Sequence, residues 1–414
     1  KGTRGFYPYE MALRTWLYGK IRGVSESFGY QEYDGPFIES LELYAAKSGE
    51  ELVKEQSFVF PDRGGNLITL RPELTPSLAR MVAERQYELV YPLRWWSFGP
   101  FWRYEKPQKG RTREFFQWNI DLIGADTPEA DAELISIAAE FFRSVGLTPL
   151  DVKIMVNDRQ LMETQMAALN IPTDQKIKVF NVIDKCDKMA DHEWEAFAKE
   201  EGLSEEQLDG IKKILSDKDL YKSSPRMKKL FSALDALGVA DYVGFDARIV
   251  RGLDYYTGIV FEGRDVRESS RAILGGGRYD NLVRDVGGDP LSGVGFAMGD
   301  VVLTIILNEY GKLPKLDLQP AKVLVSVFNE DTFCESLSVS ADLRRAGIKT
   351  IVYPEAVKLG KQFKFANRLG LSYVIVLGPD ELRQGNVQVK NLETGEQVSV
   401  ARTEAATYLA KKLP

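Results

Sequence analysis

Arg251-Gly252-Leu253-Asp254-Tyr255-Tyr256-Thr257-Gly258 and Gly275-Gly276-Gly277-Arg278-Tyr279-Asp280 fall within one thirty-residue window. The two strings bring together a guanidinium, adjacent tyrosines and a glycine-lined backbone. Arginine offers a planar fork for phosphate or carboxylate oxygens. A tyrosine pair offers aromatic walls with hydroxyls attached. Consecutive glycines let a backbone approach a ligand closely. The set suits a small polar ligand with a phosphate beside it. Either string alone also fits a β-hairpin whose tyrosines belong to the core.

The rest of the composition narrows the chemistry. At ~150 residues per domain, 414 residues allow two or three domains. A 44% hydrophobic fraction is ample for a packed core. Only Cys186 and Cys334 are present, which excludes a disulfide framework or a Cys-rich zinc site and fits a reducing cytosol. His192 is the single histidine, in a polar helical stretch, so neither a Ser-His-Asp triad nor a multi-His metal site is expected. No apolar run reaches the ~18 residues of a membrane helix, and the N-terminus lacks an apolar secretory core. A cytoplasmic chain with no membrane partner is expected. The net charge of −6 is unevenly spread: residues 320–414 carry 13 Lys+Arg against 10 Asp+Glu, the remainder 41 against 50.

Residues 9–30 read as an amphipathic helix with Leu13, Trp16, Leu17, Ile21, Val24 and Phe28 on one side. Tyr30 to Phe37 reads as extended, and Pro36 confines it to an edge or interface. Phe58 to Leu70 reads as a hairpin turning at Asp62 to Asn66, followed by a helix from Pro76 to Glu84. Leu93 to Tyr104 and Arg113 to Ile123 are β-rich, and 128–145 is helical. Hairpins alternating with helices fit an antiparallel sheet flanked by helices. Residues 158–240 read as a helical insertion, after which strands return at Asp246 to Arg264 and Ser270 to Leu274. Pro314 to Pro320 reads as a linker. Beyond it, Lys322 to Phe328, Thr350 to Tyr353 and Tyr373 to Leu377 are apolar strands between helices, which predicts a small α/β domain with a largely parallel sheet. A hairpin (Asn386 to Leu392, Gln397 to Arg402) and a helix over 403–412 close it.

The opening strings resemble the two signature motifs of the histidyl-tRNA synthetase family, a group of class II aminoacyl-tRNA synthetases. The resemblance extends over nearly all of the chain. It implies an α+β class II antiparallel-sheet core (1–157 and 241–313), a helical insertion domain (158–240) and a C-terminal α/β anticodon-binding domain (321–414). It also implies a ligase that joins histidine and ATP to histidyl-adenylate and passes histidine to the 3′ end of tRNA(His). The helix and Pro36 strand near the N-terminus resemble motif 1, which implies a homodimer. Phe101-Trp102-Arg103-Tyr104-Glu105-Lys106-Pro107-Gln108-Lys109-Gly110-Arg111-Thr112-Arg113-Glu114, otherwise readable as a solvated basic loop, resembles motif 2.

Under that resemblance Arg103 and Arg251 are the catalytic pair around the α-phosphate, and Arg103 also meets the substrate carboxylate. Glu105 and Arg113 contact ATP. Gln108, Lys109 and Arg111 approach the tRNA acceptor end. In Leu70-Arg71-Pro72-Glu73-Leu74-Thr75, Glu73 accepts the substrate α-amino group with Leu74 and Thr75 beside it. Gln117 and Asp121, four apart on a strand and hence on one face, read the histidine. Asp121 stands where the longer Glu is expected. Tyr255 and Tyr256 line the histidine pocket and Tyr279 its rim. Mg2+ is held mainly by the ATP phosphates, with no protein metal site. Gly293-Val294-Gly295-Phe296-Ala297-Met298-Gly299-Asp300-Val301-Val302-Leu303 resembles motif 3, except that Val302 occupies the place of its ATP-clamping arginine. That departure is the one feature favouring a rival reading, a non-catalytic regulatory paralogue. In the last domain Arg344, Arg345, Lys349, Lys358, Lys361, Lys364 and Arg368 are opposed between 344 and 368 only by Glu355. Such a stripe is commonly a solvated helix face, and the family resemblance makes it a tRNA surface with salt-sensitive affinity.

Overall fold

The computed structural model describes residues 2–45, 55–250, 255–267 and 272–413. The chain forms two compact units, Lys1–Pro314 and Lys315–Pro414. In chain order the strands of the first are β1 (Gln31–Glu32), β2 (Ile38–Ser40), β3 (Phe58–Pro61), β4 (Leu67–Leu70), β5 (Leu93–Trp102), β6 (Glu114–Ile123), β7 (Val152–Asp158), β8 (Val243–Phe245), β9 (Ile259–Asp265), β10 (Leu274–Tyr279) and β11 (Gly293–Gly299). Its helices are α1 (Pro8–Ser27), α2 (Leu41–Ala45), α3 (Thr75–Glu84), α4 (Pro128–Ser144), α5 (Arg159–Ala168), α6 (Lys176–Asp184), α7 (Asp191–Glu200), α8 (Glu205–Ser216), α9 (Pro225–Ala236), α10 (Leu282–Asp285) and α11 (Asp300–Glu309).

An eight-stranded sheet runs β1-β5-β6-β11-β10-β9-β7-β8. Its interior pairs are antiparallel, and the parallel pairs, β1 with β5 and β7 with β8, sit at its two edges. The hairpin β3–β4 joins β2 in a separate three-stranded sheet. Period-two alternation divides the faces of β6. Trp118, Ile120 and Leu122 are buried in the main core, where Trp118 packs on Phe141 of α4 at 5.2 Å and on Phe296 of β11 at 4.9 Å. Gln117, Asn119 and Asp121 therefore face the other way. Thr127 caps α4, accepting a hydrogen bond from the Ala130 N–H, and Pro128 follows at the first helical position.

Several expectations shift. Of the stretch Tyr30 to Phe37, only Gln31 and Glu32 join a strand. The glycine string read as backbone beside a ligand is itself a strand, β10, beginning where the predicted strand was to end. Strand β7 precedes the helical stretch and pairs with β9 and β8 on either side of it, so helices α5 to α9 leave and re-enter at one sheet edge.

The second unit contains β12 (Val323–Val325), β13 (Thr350–Val352), β14 (Tyr373–Val376), β15 (Asn386–Asn391) and β16 (Gln397–Ala401). Its helices are α12 (Phe333–Arg345), α13 (Leu359–Arg368), α14 (Pro379–Gln384) and α15 (Ala405–Lys412). The order is β13-β12-β14-β15-β16. The first three strands are parallel and the closing hairpin is antiparallel, so the sheet is mixed rather than largely parallel. Helix α13 is pinned through Gln362, which donates to the Val327 carbonyl at 2.7 Å and accepts from the Val327 N–H at 2.9 Å. That leaves Lys358, Lys361, Lys364 and Arg368 exposed.

Candidate active site

The outward face of β6 forms the floor of a cavity of about 120 Å³. Gln117, Asn119 and Asp121 rise from it, Tyr255, Tyr256 and Tyr279 wall it, and Glu73, Thr75 and Arg103 stand at its polar side. The Tyr255 hydroxyl donates to Glu73 Oε2 at 3.2 Å, and Tyr44 donates to the Glu73 carbonyl oxygen at 3.4 Å. Arg103 Nε donates to the Pro72 carbonyl at 2.9 Å, which ties β5 to the Glu73 turn and leaves the terminal guanidinium nitrogens for a ligand. The Tyr279 hydroxyl donates to Asp121 Oδ1 at 2.7 Å. Asp121 is 4% exposed. Burial pushes its pKa up to about 7, opposed by the Tyr279 hydrogen bond.

Glycines make the room. The position opposite Asp121 on β11 is Gly295, where an added Cβ lies 2.0 Å from Asp121 Oδ1. At Gly293 it lies 2.4 Å from the Tyr279 ring, and at Gly277 2.8 Å from the Tyr256 ring. These residues have ordinary extended backbones. Glycine is required there by side chains packed across the strands rather than by a left-handed φ.

A second cavity, of about 180 Å³, shares Arg103 with the first. Glu105, Arg111, Phe115 and Val302 line it. Arg111 Nε lies 2.9 Å from Glu105 Oε2. The site thus contains two chambers, one with two carboxylates and one with a second arginine, joined at a shared guanidinium. Anions in both chambers and an ammonium or ring N–H in the first match these groups. Among the described residues no cluster of three or more His, Cys, Asp or Glu is placed to hold a metal ion.

Comparison with known proteins decides the lineage. The family model described as histidyl-tRNA synthetase matches residues 2–300, and an anticodon-binding domain model matches 322–412. The chain belongs to the histidyl-tRNA synthetase family. Among curated relatives it is similar to the chloroplastic/mitochondrial histidine–tRNA ligase of Arabidopsis thaliana, 38% identical over 97% of this chain and 84% of that one. The histidine–tRNA ligase of Pyrococcus horikoshii is 37% identical over 98% of this chain and 96% of its own length. Among solved structures, histidyl-tRNA synthetase from Nostoc sp. superposes with a TM-score of 0.81 at 27% identity, covering 100% of this chain and 98% of that one. A Bacillus halodurans ATP phosphoribosyltransferase regulatory subunit/histidyl-tRNA synthetase shares the fold, with a TM-score of 0.73 at 21% identity over 91% of this chain and 96% of that one. The large antiparallel-centred sheet with its helices and C-terminal unit is the class II α+β architecture.

Against the family motifs the structure sorts the sequence-named residues. Glu73, Thr75, Arg103, Gln117, Asp121, Tyr255, Tyr256 and Tyr279 share the first cavity. Tyr279 is not at the rim: it is 2% exposed, because Asp121 and the Gly293 gap draw it inward. Leu74 is wholly buried at the N-cap of α3, packed toward Gly35, and does not line the cavity. Arg113 lines neither cavity, since its guanidinium lies 4.2 Å from the Tyr104 ring centroid and its Nε donates to the Glu105 carbonyl. Arg111 turns into the second cavity, away from Lys109, whose Nζ meets Glu309 at 3.1 Å. Gln108 bridges Arg111 across the loop turn. Arg278 is structural: fully buried, it pairs with Asp131 at 2.8 Å and donates to the Ala125 carbonyl. Arg251 lies outside the described residues, as do Gly252, Leu253, Asp254, Ser270 and Arg271. Asn119 is a polar lining residue that motif reading missed, as it did the apolar Phe296 and Ala297. Its place between Gln117 and Asp121 on one strand face was the available clue.

Proposed function

We propose that this chain is a histidine–tRNA ligase. The observation that carries the reading is a single cavity lined by Arg103, Glu73 and the buried Asp121. Those charges match an amino acid whose carboxylate, ammonium and ring N–H all need partners. Arg103 takes the substrate carboxylate, Glu73 the ammonium, Asp121 the ring N–H, and Gln117 and the tyrosines close the walls. An acid facing a ring N–H penalises apolar analogues, because they leave it buried without a donor.

ATP enters the second cavity with its α-phosphate at Arg103, and Glu105 and Arg111 on either side. Arg251 is assigned to the α-phosphate by its motif alone. The substrate carboxylate is already ionised, so an oxygen of it attacks the α-phosphorus, the bond to the β-phosphate oxygen breaks, and pyrophosphate departs. No general base is needed, which suits a chain with one histidine. Positioning and positive charge around the developing pentavalent phosphorus lower the barrier. Mg2+, carried on the ATP phosphates, adds charge neutralisation on the pyrophosphate side; the acid nearby, Glu105, is already engaged by Arg111. A terminal ribose hydroxyl of tRNA(His) then attacks the acyl carbon, and AMP leaves.

The domain assignment follows: 1–157 and 241–313 as catalytic core, 158–240 as helical insertion, 321–414 as anticodon-binding domain. Homodimerisation through the motif 1 segment belongs to the same reading. Free Cys186 and Cys334 support a reducing compartment such as the cytoplasm. No described helix is long and apolar enough to cross a membrane.

Histidine-dependent ATP–pyrophosphate exchange tests the reading. Exchange with histidine and with no other amino acid is expected. Absence of exchange despite histidine binding moves the chain to the regulatory alternative, which Val302 in the second cavity favours.

A further inference from the structure

Asn119 is 3% exposed, lines the first cavity, and has no hydrogen-bond partner for its buried Nδ2. Neither end of its carboxamide is engaged by a described residue. The buried Oε1 of Gln117 on the same strand face is likewise unpaired among the described residues, whereas two of the tyrosines beside Asn119 are engaged. The Tyr279 hydroxyl is committed to Asp121, and the Tyr255 hydroxyl to Glu73. A buried amide with nothing to bond costs about 1–3 kcal/mol, so a residue of this kind facing a cavity points to a partner that arrives with the ligand.

Position along the strand says which part of the ligand. Gln117, Asn119 and Asp121 share one face of β6, spaced by about 7 Å for each pair of residues. Across the sheet, Gly299, Ala297 and Gly295 stand opposite them in the same order. Gln117 is nearest the Arg103 end, Asp121 is farthest from it, and Asn119 lies between. A neutral imidazole has one N–H and one bare nitrogen. Asp121, with one oxygen already accepting from Tyr279, accepts the far N–H with the other. The bare nitrogen nearer the amino-acid end then requires a donor.

We propose that Asn119 is a specificity-determining residue whose carboxamide N–H donates to the bare Nδ1 of a histidine ring, while Asp121 accepts the Nε2 proton. The inference rests on the histidine reading of this cavity and extends it. Together the two side chains select a single tautomer of a neutral ring. Val, Leu or Phe in the same space leave both polar groups unpaired.

Ligand binding by calorimetry on the full chain tests this independently of ATP use. Two histidine analogues differ at the one atom concerned: β-(thiazol-4-yl)alanine keeps a bare ring nitrogen at the Nδ1 place, and β-(3-thienyl)alanine has a carbon there. Wild type is expected to bind the thiazole roughly five- to tenfold more tightly than the thiophene. Asn119→Ala and the near-isosteric Asn119→Leu are expected to bind the two alike. Both variants should lose about tenfold in histidine affinity. A merely structural Asn119 lowers Tm and leaves the thiazole–thiophene ratio intact, which overturns the proposal. So does a wild type that does not discriminate the pair. Wild type that binds histidine but supports no pyrophosphate exchange removes the ligase reading while the analogue ratio still decides Asn119. Wild type that binds no histidine overturns both.

Discussion

Asp121 shows how one short side chain in a buried place acquires two roles. It is pulled into the first cavity by Tyr279 and admitted by Gly295, and burial holds its pKa at about 7. Without ligand the folded protein therefore keeps a proton on Asp121 that the unfolded chain releases near about pH 3.9. Between those values the folded state binds more protons than the unfolded one, so this residue's contribution to stability falls as pH rises. The expected outcome is that Asp121→Asn gains in Tm relative to wild type as pH goes from about 4 to about 7, with the difference levelling off above. Thermal melts of both proteins across that range check it, and a pH-independent difference contradicts it. Glu73, Arg103, Gln117 and Asp121 were legible as cavity residues because Glu73 and Arg103 follow strand ends within motif-like strings and Gln117 and Asp121 fall four apart on one strand face. Asn119 was passed over because an isolated Asn in a strand resembles a tolerated polar residue. Tyr279 was placed at the rim because sequence does not show how far a glycine across the sheet lets a ring sink.

At the scale of elements, strong periodicity made α1, α3, α4 and the hairpin β3–β4 readable, each within a few residues of its observed ends. Strand β10 was not readable. Three glycines have little strand propensity of their own, and only pairing on both sides, with β9 and β11, holds them extended. Their value lies in what they omit. At Gly295 an added methyl meets the Ile120 carbonyl oxygen at 2.7 Å as well as Asp121, and a backbone atom in a paired strand has little freedom to yield. Gly295→Ala is expected to lose histidine binding outright and to destabilise by about 1–3 kcal/mol, the usual range for overpacking. Calorimetry and a urea melt measure the two effects separately, and retained affinity would show that β11 can shift. Arg111 belongs to this scale too. The loop between β5 and β6 turns back at Gln108 and Arg111, so an arginine that the family resemblance directs toward the tRNA acceptor end lines the second cavity.

For the whole molecule, the two units divide the labour implied by their sequence. The first contains both cavities. The second carries the cationic face of α13, built on a helix pinned through Gln362. Charge reversal at two exposed positions, Lys361→Glu with Lys364→Glu, is expected to raise the KM for tRNA about tenfold and flatten its salt dependence. Pyrophosphate exchange, which needs no tRNA, should be unchanged. Equal losses in both assays would mean that the substitutions disturb the fold instead. The uneven charge of the chain made a basic C-terminal surface legible, and the closing hairpin was legible from its turn residues; what the sequence did not show is that this hairpin joins the parallel strands through an antiparallel pairing of β14 with β15. One feature reaches beyond either unit's architecture: the guanidinium of Arg103 forms part of the wall between the two chambers. With histidine on one side and ATP on the other, the occupants answer to the same cation. The first to arrive orders that side chain and draws on its field, so the second meets an altered partner. Whatever factor ATP imposes on histidine affinity, histidine must impose on ATP affinity, because the two paths to the ternary complex close a thermodynamic cycle. The order of substrate arrival is therefore a matter of rate, with no bearing on the final occupancy, and the shared arginine bears only on how large that mutual factor is.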